Sequence, residues 1–116
     1  MNTSLVSNLW WDPIGHRVSW NCSHRAVAWS FGEGLRGVAS LPDWSGVVVV
    51  YRGRGVVYNA DGSTRTEIKL PMPNSLCNMI IGVAPEVLVV FDSSGLSWWG
   101  RLNADTGEVE DQNEWR

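Results

Sequence analysis

Apolar and polar positions along this chain repeat with a period of two far more than with a period of 3.6. Alternation is plain in Ala26-Val27-Ala28-Trp29 and in Thr66-Glu67-Ile68-Lys69-Leu70, the pattern of a strand with one buried face. Two runs are apolar at every position, Val47-Val48-Val49-Val50 and Val87-Leu88-Val89-Val90. Continuous runs rich in β-branched residues predict central strands buried on both faces. No stretch holds apolar residues at i, i+3, i+4 and i+7 over three turns. Pro42, Pro71, Pro73 and Pro85 interrupt the chain, each removing a backbone donor. The best helical candidate is the short segment from Pro73 to Met79. The expected fold is therefore one all-β domain over residues 1–116, built of ten or eleven short antiparallel strands.

The strands fall into a repeat. Three windows align without gaps at a spacing of 40: Leu9-Trp10-Trp11-Asp12-Pro13-Ile14-Gly15, Val49-Val50-Tyr51-Arg52-Gly53-Arg54-Gly55 and Val89-Val90-Phe91-Asp92-Ser93-Ser94-Gly95. Each is an apolar stretch that ends in an aromatic and reaches glycine four residues later, as a strand running into a tight turn requires. Return strands with aromatics follow at Arg17–Asn21, Val56–Asn59 and Ser97–Trp99. Turns come next, at Asn59-Ala60-Asp61-Gly62 and Asn103-Ala104-Asp105-Thr106-Gly107, where Asn and Asp bond their own backbone and Gly closes the turn. The matching first-unit stretch, Asn21-Cys22-Ser23-His24, lacks glycine. Further extended segments run from Ala26 to Phe31, Thr64 to Leu70 and Glu108 to Asp111.

Antiparallel repeats of about 40 residues with aromatics and Asp near turns resemble blades of a β-propeller of the WD40 or kelch sort. The Trp-Asp pair occurs once, at Trp11-Asp12, and Gly-His once, at Gly15-His16. Three units fall short of the four or more that close a propeller. The resemblance leaves three arrangements: open twisted sheets stacked as an incomplete propeller, two chains completing a ring, or a sandwich or half-barrel. The open twisted assembly is the expected one.

Composition adds eight tryptophans, and a small domain gains large buried areas from them. Trp10/Trp11 and Trp98/Trp99 are adjacent pairs, so on a strand their rings point to opposite faces. One ring of each pair can join the core. Trp44, Trp115 and Trp98, as one of its pair, are candidates for a contact surface.

Candidate chemistry is sparse. His16 and His24 are the two histidines; pairing with a turn carboxylate such as Asp12 is a more ordinary use than acid-base catalysis. Cys22-x-His24 offers two metal ligands without a second pair to complete a tetrahedral site. Gly32-Glu33-Gly34 and Gly53-Arg54-Gly55 lack the strand–GxGxxG–helix context of a dinucleotide loop and read as turns. The sequence thus predicts no catalytic centre, no metal and no cofactor.

Charge points to the kind of partner. A net charge of −3 with one lysine suits neither a phosphate backbone nor, with such short apolar runs, a bilayer. Met1 to Trp10 carries no basic residue and no apolar core of a secretory signal, so Cys22 and Cys77 are expected as reduced thiols and the protein as cytoplasmic. Six of nine cationic residues fall between Arg17 and Arg65, whereas five acids, Asp105, Glu108, Glu110, Asp111 and Glu114, crowd the end beside Trp115. An acidic, aromatic-flanked segment suits docking of a basic protein, with Asp43 and Trp44 as further contact residues; equally, a charged terminal strand protects a sheet edge. The overall profile resembles small bacterial toxin-immunity proteins of the contact-dependent growth inhibition type. That resemblance implies a non-catalytic inhibitor that binds a cognate toxin, in the usual case a cationic nuclease. The alternatives are a Trp-rich carbohydrate or small-ligand module, and a propeller-fragment scaffold that forms a homodimer.

Overall fold

The computed structural model describes residues 5–14 and 16–114; the predicted contact residue Trp115 lies outside them. The described residues form eleven strands: β1 (Val6–Asp12), β2 (Arg17–Cys22), β3 (Arg25–Ser30), β4 (Leu35–Ser40), β5 (Gly46–Tyr51), β6 (Arg54–Asn59), β7 (Thr64–Glu67), β8 (Leu76–Val83), β9 (Glu86–Ser93), β10 (Leu96–Leu102) and β11 (Val109–Glu114). They make three open antiparallel sheets in the orders β1-β2-β3, β4-β5-β6-β7 and β8-β9-β10-β11. The chain is thus all-β with open sheets, as its alternation predicts.

The short segment expected as a helix is not one. Pro71–Asn74 turns, and β8 starts at Leu76. The two prolines withhold donors that a helix needs. Asn74 takes a positive φ of 58°, Ser75 Oγ donates to the Met72 carbonyl at 2.6 Å, and Cys77 N–H donates to the Gly53 carbonyl at 2.7 Å. Together these close a turn and start a strand.

The hairpin turns refine the repeat. In sheets two and three the tight turns are Arg52-Gly53 and Ser94-Gly95, with φ of 51° and 77°, and 55° and 77°. Positive φ at both central residues gives the twist that suits a two-residue hairpin. The turn glycines are therefore Gly53 and Gly95: Gly95 keeps its aligned place, whereas Gly53 stands two residues before the aligned Gly55. Gly55 instead lies in β6, where a β-carbon would run into the Ile68 side chain. The first unit turns without a described glycine: His16 (φ 56°) ends the β1–β2 loop, and Ser23 (φ 57°) serves the β2–β3 turn.

The sheets stack on both sides of sheet two. Val47 and Val49 enter one core with Val6, Val18, Trp20 and Cys22 of sheet one. Val48 and Val50 enter the other with Cys77, Val87, Val89 and Phe91 of sheet three. Successive side chains on a strand point to opposite faces, so one valine run serves both junctions, and all four valines are buried. Cys22 and Cys77 belong to different cores and both are free thiols. Between sheets two and three a parallel bridge joins Lys69 to Glu108, and Thr66 Oγ1 donates to the Thr106 carbonyl at 3.2 Å.

Candidate functional site

The loops β4–β5, β8–β9 and β10–β11 all leave one end of sheets two and three. They enclose a cleft of about 550 Å³ lined by Leu41, Pro42, Asp43, Arg65, Glu86, Arg101, Asp105 and Glu110, among others. Asp43 opens a tight loop in which its Oδ1 accepts the Ser45 N–H at 3.0 Å and the Ser45 hydroxyl at 2.7 Å. Those two bonds, with the nearby Arg65 guanidinium, hold the Asp43 carboxyl below its usual range, because each favours the charged form.

Arg65, mostly covered by its neighbours, ties three segments together. Its Nε donates to Asn59 Oδ1 at 2.6 Å, its Nη2 to the Ser45 carbonyl at 3.0 Å, and its Nη1 lies 3.6 Å from Asp105. On the far wall Arg101 pairs with Glu86 at 3.1 Å and with Asp111. The β10–β11 register sets Arg101 opposite Glu110. This register follows from the Asn103–Gly107 turn. Asn103 Oδ1 accepts the N–H groups of Asp105 and Thr106, Gly107 N–H donates to the Asn103 carbonyl at 2.8 Å, and Gly107 takes a φ of 81°.

Of the predicted contact residues, Asp43, Asp105 and Glu110 meet at this cleft, with Asp111 joined to it through Arg101. Trp44 is half exposed and fixed through its backbone: its carbonyl accepts the Val6 N–H at 2.7 Å. Glu108 is exposed between the Asn103–Gly107 turn and β11, and Glu114 is exposed opposite Trp98. Trp98 itself packs its ring against the core between sheets two and three. It offers little ring face to a partner, because it shares the inward side of β10 with its register neighbour Phe91. Three cleft residues, Arg65, Glu86 and Arg101, were absent from the sequence expectation. Counting back across the Asn103–Gly107 turn would have placed Arg101 against Glu110; nothing local announces Arg65 or Glu86.

Chemically the cleft presents four carboxylates, Asp43, Glu86, Asp105 and Glu110, against two guanidinium groups. Among the described residues, no hydroxyl or thiol side chain lines it. Cys77 is buried, its thiol pushed up to about 12 by that burial, and Cys22 is buried in the other core while His24 is exposed. Among the described residues no three His, Cys, Asp or Glu side chains gather as metal ligands. At the opposite end of the sheets Arg36, Arg52 and Asp92 line a second hollow of about 410 Å³, and Arg52 Nε donates to the Glu33 carbonyl at 3.0 Å.

No protein-family model matches the chain, and no curated protein matches it. Among solved structures, the crystal structure of a protein of unknown function from Bacteroides caccae, at 1.35 Å resolution, superimposes on 96% of this chain with a TM-score of 0.61 and 17% identity. The chain spans 40% of that longer protein, so what the two share is a fold of stacked open sheets.

Proposed function

We propose that this protein is a non-catalytic binding module whose acidic cleft docks a basic protein, in the manner of an immunity protein that blocks a cationic toxin. The observation that carries this reading is the convergence of Asp43, Glu86, Asp105 and Glu110 at one end of the sheets. The acidic edge strand β11, exposed from Glu110 to Glu114, continues the same surface. Complementary charge speeds encounter and selects against acidic partners. The half-exposed Trp44 beside the cleft supplies the apolar anchor that charge alone lacks.

The test is direct. The product of the adjacent gene is purified, its binding to this chain is measured by calorimetry, and its activity is assayed with and without the chain. Tight binding with inhibition is expected. Charge reversal by Asp43→Lys together with Glu110→Lys should weaken binding about tenfold or more and flatten its salt dependence. Binding that ignores both salt and these substitutions removes the acidic cleft from the reading. A Trp-fluorescence response to oligosaccharides, with no protein bound, favours the sugar-binding alternative.

A further inference from the structure

The two outer faces of the three-sheet stack each carry large exposed apolar side chains that no other sheet covers. On sheet three, the face turned away from sheet two carries Met79, Val90 and Trp99 in one row and Ile81, Leu88 and Arg101 in the next, with Arg101 at its edge paired to Glu86 and Asp111. These alternate with Val89 and Phe91, which point into the inner core. Met79 and Val83 on this outer face are 46% and 51% exposed. On sheet one, the corresponding face carries the row Trp10-Ser19-Ala28, with Trp10 52% exposed. Within that row Ser19 and Ala28 are small beside the ring, and the rows on either side are Ser7-Asn21-Ala26 and Asp12-Arg17-Ser30.

The polarity of the stack matters. Sheet one gives sheet two its forward face, and sheet two gives sheet three its forward face. What remains uncovered is the forward face of sheet three and the rear face of sheet one. A second copy can therefore add the same kind of junction head to tail, and the joint closes only if the stack turns through half a circle. The dimensions fit that requirement: the molecule measures 44 × 33 × 20 Å, so its thinnest dimension is close to half of its longest, as for a disc cut along a diameter.

From these observations we infer that two copies of this chain assemble head to tail into a closed six-sheet ring, each joint pairing the Met79/Trp99 face of one copy with the Trp10/Ala28 face of the other. Six sheets lie within the four to eight that close such rings, and two joints related by a twofold axis leave no free end for further growth. The area suffices. Three strands spaced about 4.8 Å apart and about 20 Å long present about 290 Å². Four such faces bury about 1,200 Å², at the lower bound of specific interfaces. The inference does not rest on the acidic cleft, whose Glu86 and Arg101 border this face of sheet three.

The experiment is sedimentation equilibrium and light scattering on the whole chain, with Met79→Glu and Trp10→Glu as variants. Both residues are exposed, so circular dichroism and thermal melts should show folded variants. The wild type is expected to be a dimer at about 100 μM, and each variant a monomer, with Kd raised about tenfold or more. Mixing the two variants creates one unaltered joint per pair, so the mixture should recover dimer that neither forms alone. Asp43→Lys should leave the dimer unchanged. A monomeric wild type, a dimer that survives both substitutions, or a mixture without recovery overturns the head-to-tail ring.

Discussion

The two sides of sheet two are packed by different means. Toward sheet one the junction is aromatic: Trp20 and Tyr58 are buried, with Trp11, Phe31 and Tyr51 packed around them. Trp29 stacks on Tyr58 at 5.3 Å between ring centres, and Phe31 meets Tyr51 at the same separation. Toward sheet three the junction is mainly aliphatic, with Val48, Val50, Val57, Ile68, Val87, Val89 and Val109 around one buried aromatic, Phe91, and Trp98 packed at its margin. The difference follows strand number. Sheet one has three strands against four in each of the others, so fewer side chains must bury comparable area, and large rings do so. A ring with a polar edge also fixes position: Trp20 Nε1 donates to the Ala60 carbonyl at 2.7 Å inside the core. Sheets two and three are instead pinned at their margins by the Lys69–Glu108 bridge and the Arg65 network.

Single substitutions should therefore damage the two junctions differently. The largest effect is expected at Trp20, which is 1% exposed. Trp20→Ala should cost about 3–5 kcal/mol in urea unfolding, and Trp20→Phe should still lose about 1–3 kcal/mol by stranding the Ala60 carbonyl. On the aliphatic side no such second cost exists, so Phe91→Leu should stay below about 1.5 kcal/mol. Equal losses for Trp20→Phe and Phe91→Leu would remove the distinction between a polar-anchored and a purely apolar junction.

Arg65→Ala comes next. It removes charge-assisted hydrogen bonds to Ser45 and Asn59 in a side chain only 19% exposed, at an expected cost of about 1.5–3 kcal/mol. Hydrogen exchange should rise in the loops that hold Ser45 and Asp105 and not in sheet one. Protection lost evenly across the chain would show that Arg65 supports more than its own margin.

The Cys77 thiol tests the dryness of the aliphatic core. Burial raises it from 9.0 to about 12, so the folded state keeps a proton that the unfolded chain gives up first. The associated stability is complete below about pH 9 and is lost as pH rises toward about 12. The expected slope is about 1.4 kcal/mol per pH unit within that window. Denaturant titrations of wild type and Cys77→Ala between pH 8 and 10 read the difference; parallel pH curves would place water at Cys77.

The smallest effect separates the two matched hairpins. Gly53→Ala and Gly95→Ala both force alanine to a φ of 77°, costing about 1–2 kcal/mol each. At Gly53 the added methyl also meets Leu76 Cδ2 at 2.7 Å, while at Gly95 nothing lies within 4 Å. Gly53→Ala should therefore melt lower than Gly95→Ala, and identical melts would show that Leu76 yields freely.

Several features were legible locally. The valine run of β5 announced a strand buried on both sides, and the Asn59–Gly62 and Asn103–Gly107 turns announced two hairpins. Gly62 (φ 93°) and Gly107 (φ 81°) close them as expected. The cleft was half legible: its carboxylates stand in the acidic end and the Asp43 loop, but Arg65 and Glu86 reach it from strands far away in sequence. The helix expected after Pro73 failed because its competitor was a pairing with Gly53, more than twenty residues earlier.

By itself, then, the sequence determined the strand period, the turn chemistry and the sign of charge at the C-terminal end. Each depends on backbone geometry within a few residues: a pleat of period two, a glycine at positive φ, an edge of carboxylates. Only the tertiary structure decided that Gly53 and not Gly55 makes the turn, that Trp20 and Trp98 turn inward while Trp10 and Trp44 stay exposed, and that Asp43 and Asp105 share a cleft. Those outcomes rest on which sheets stack and in what register. Pairing energy across forty residues of chain sets that register, and it leaves no local signature in the residues it brings together.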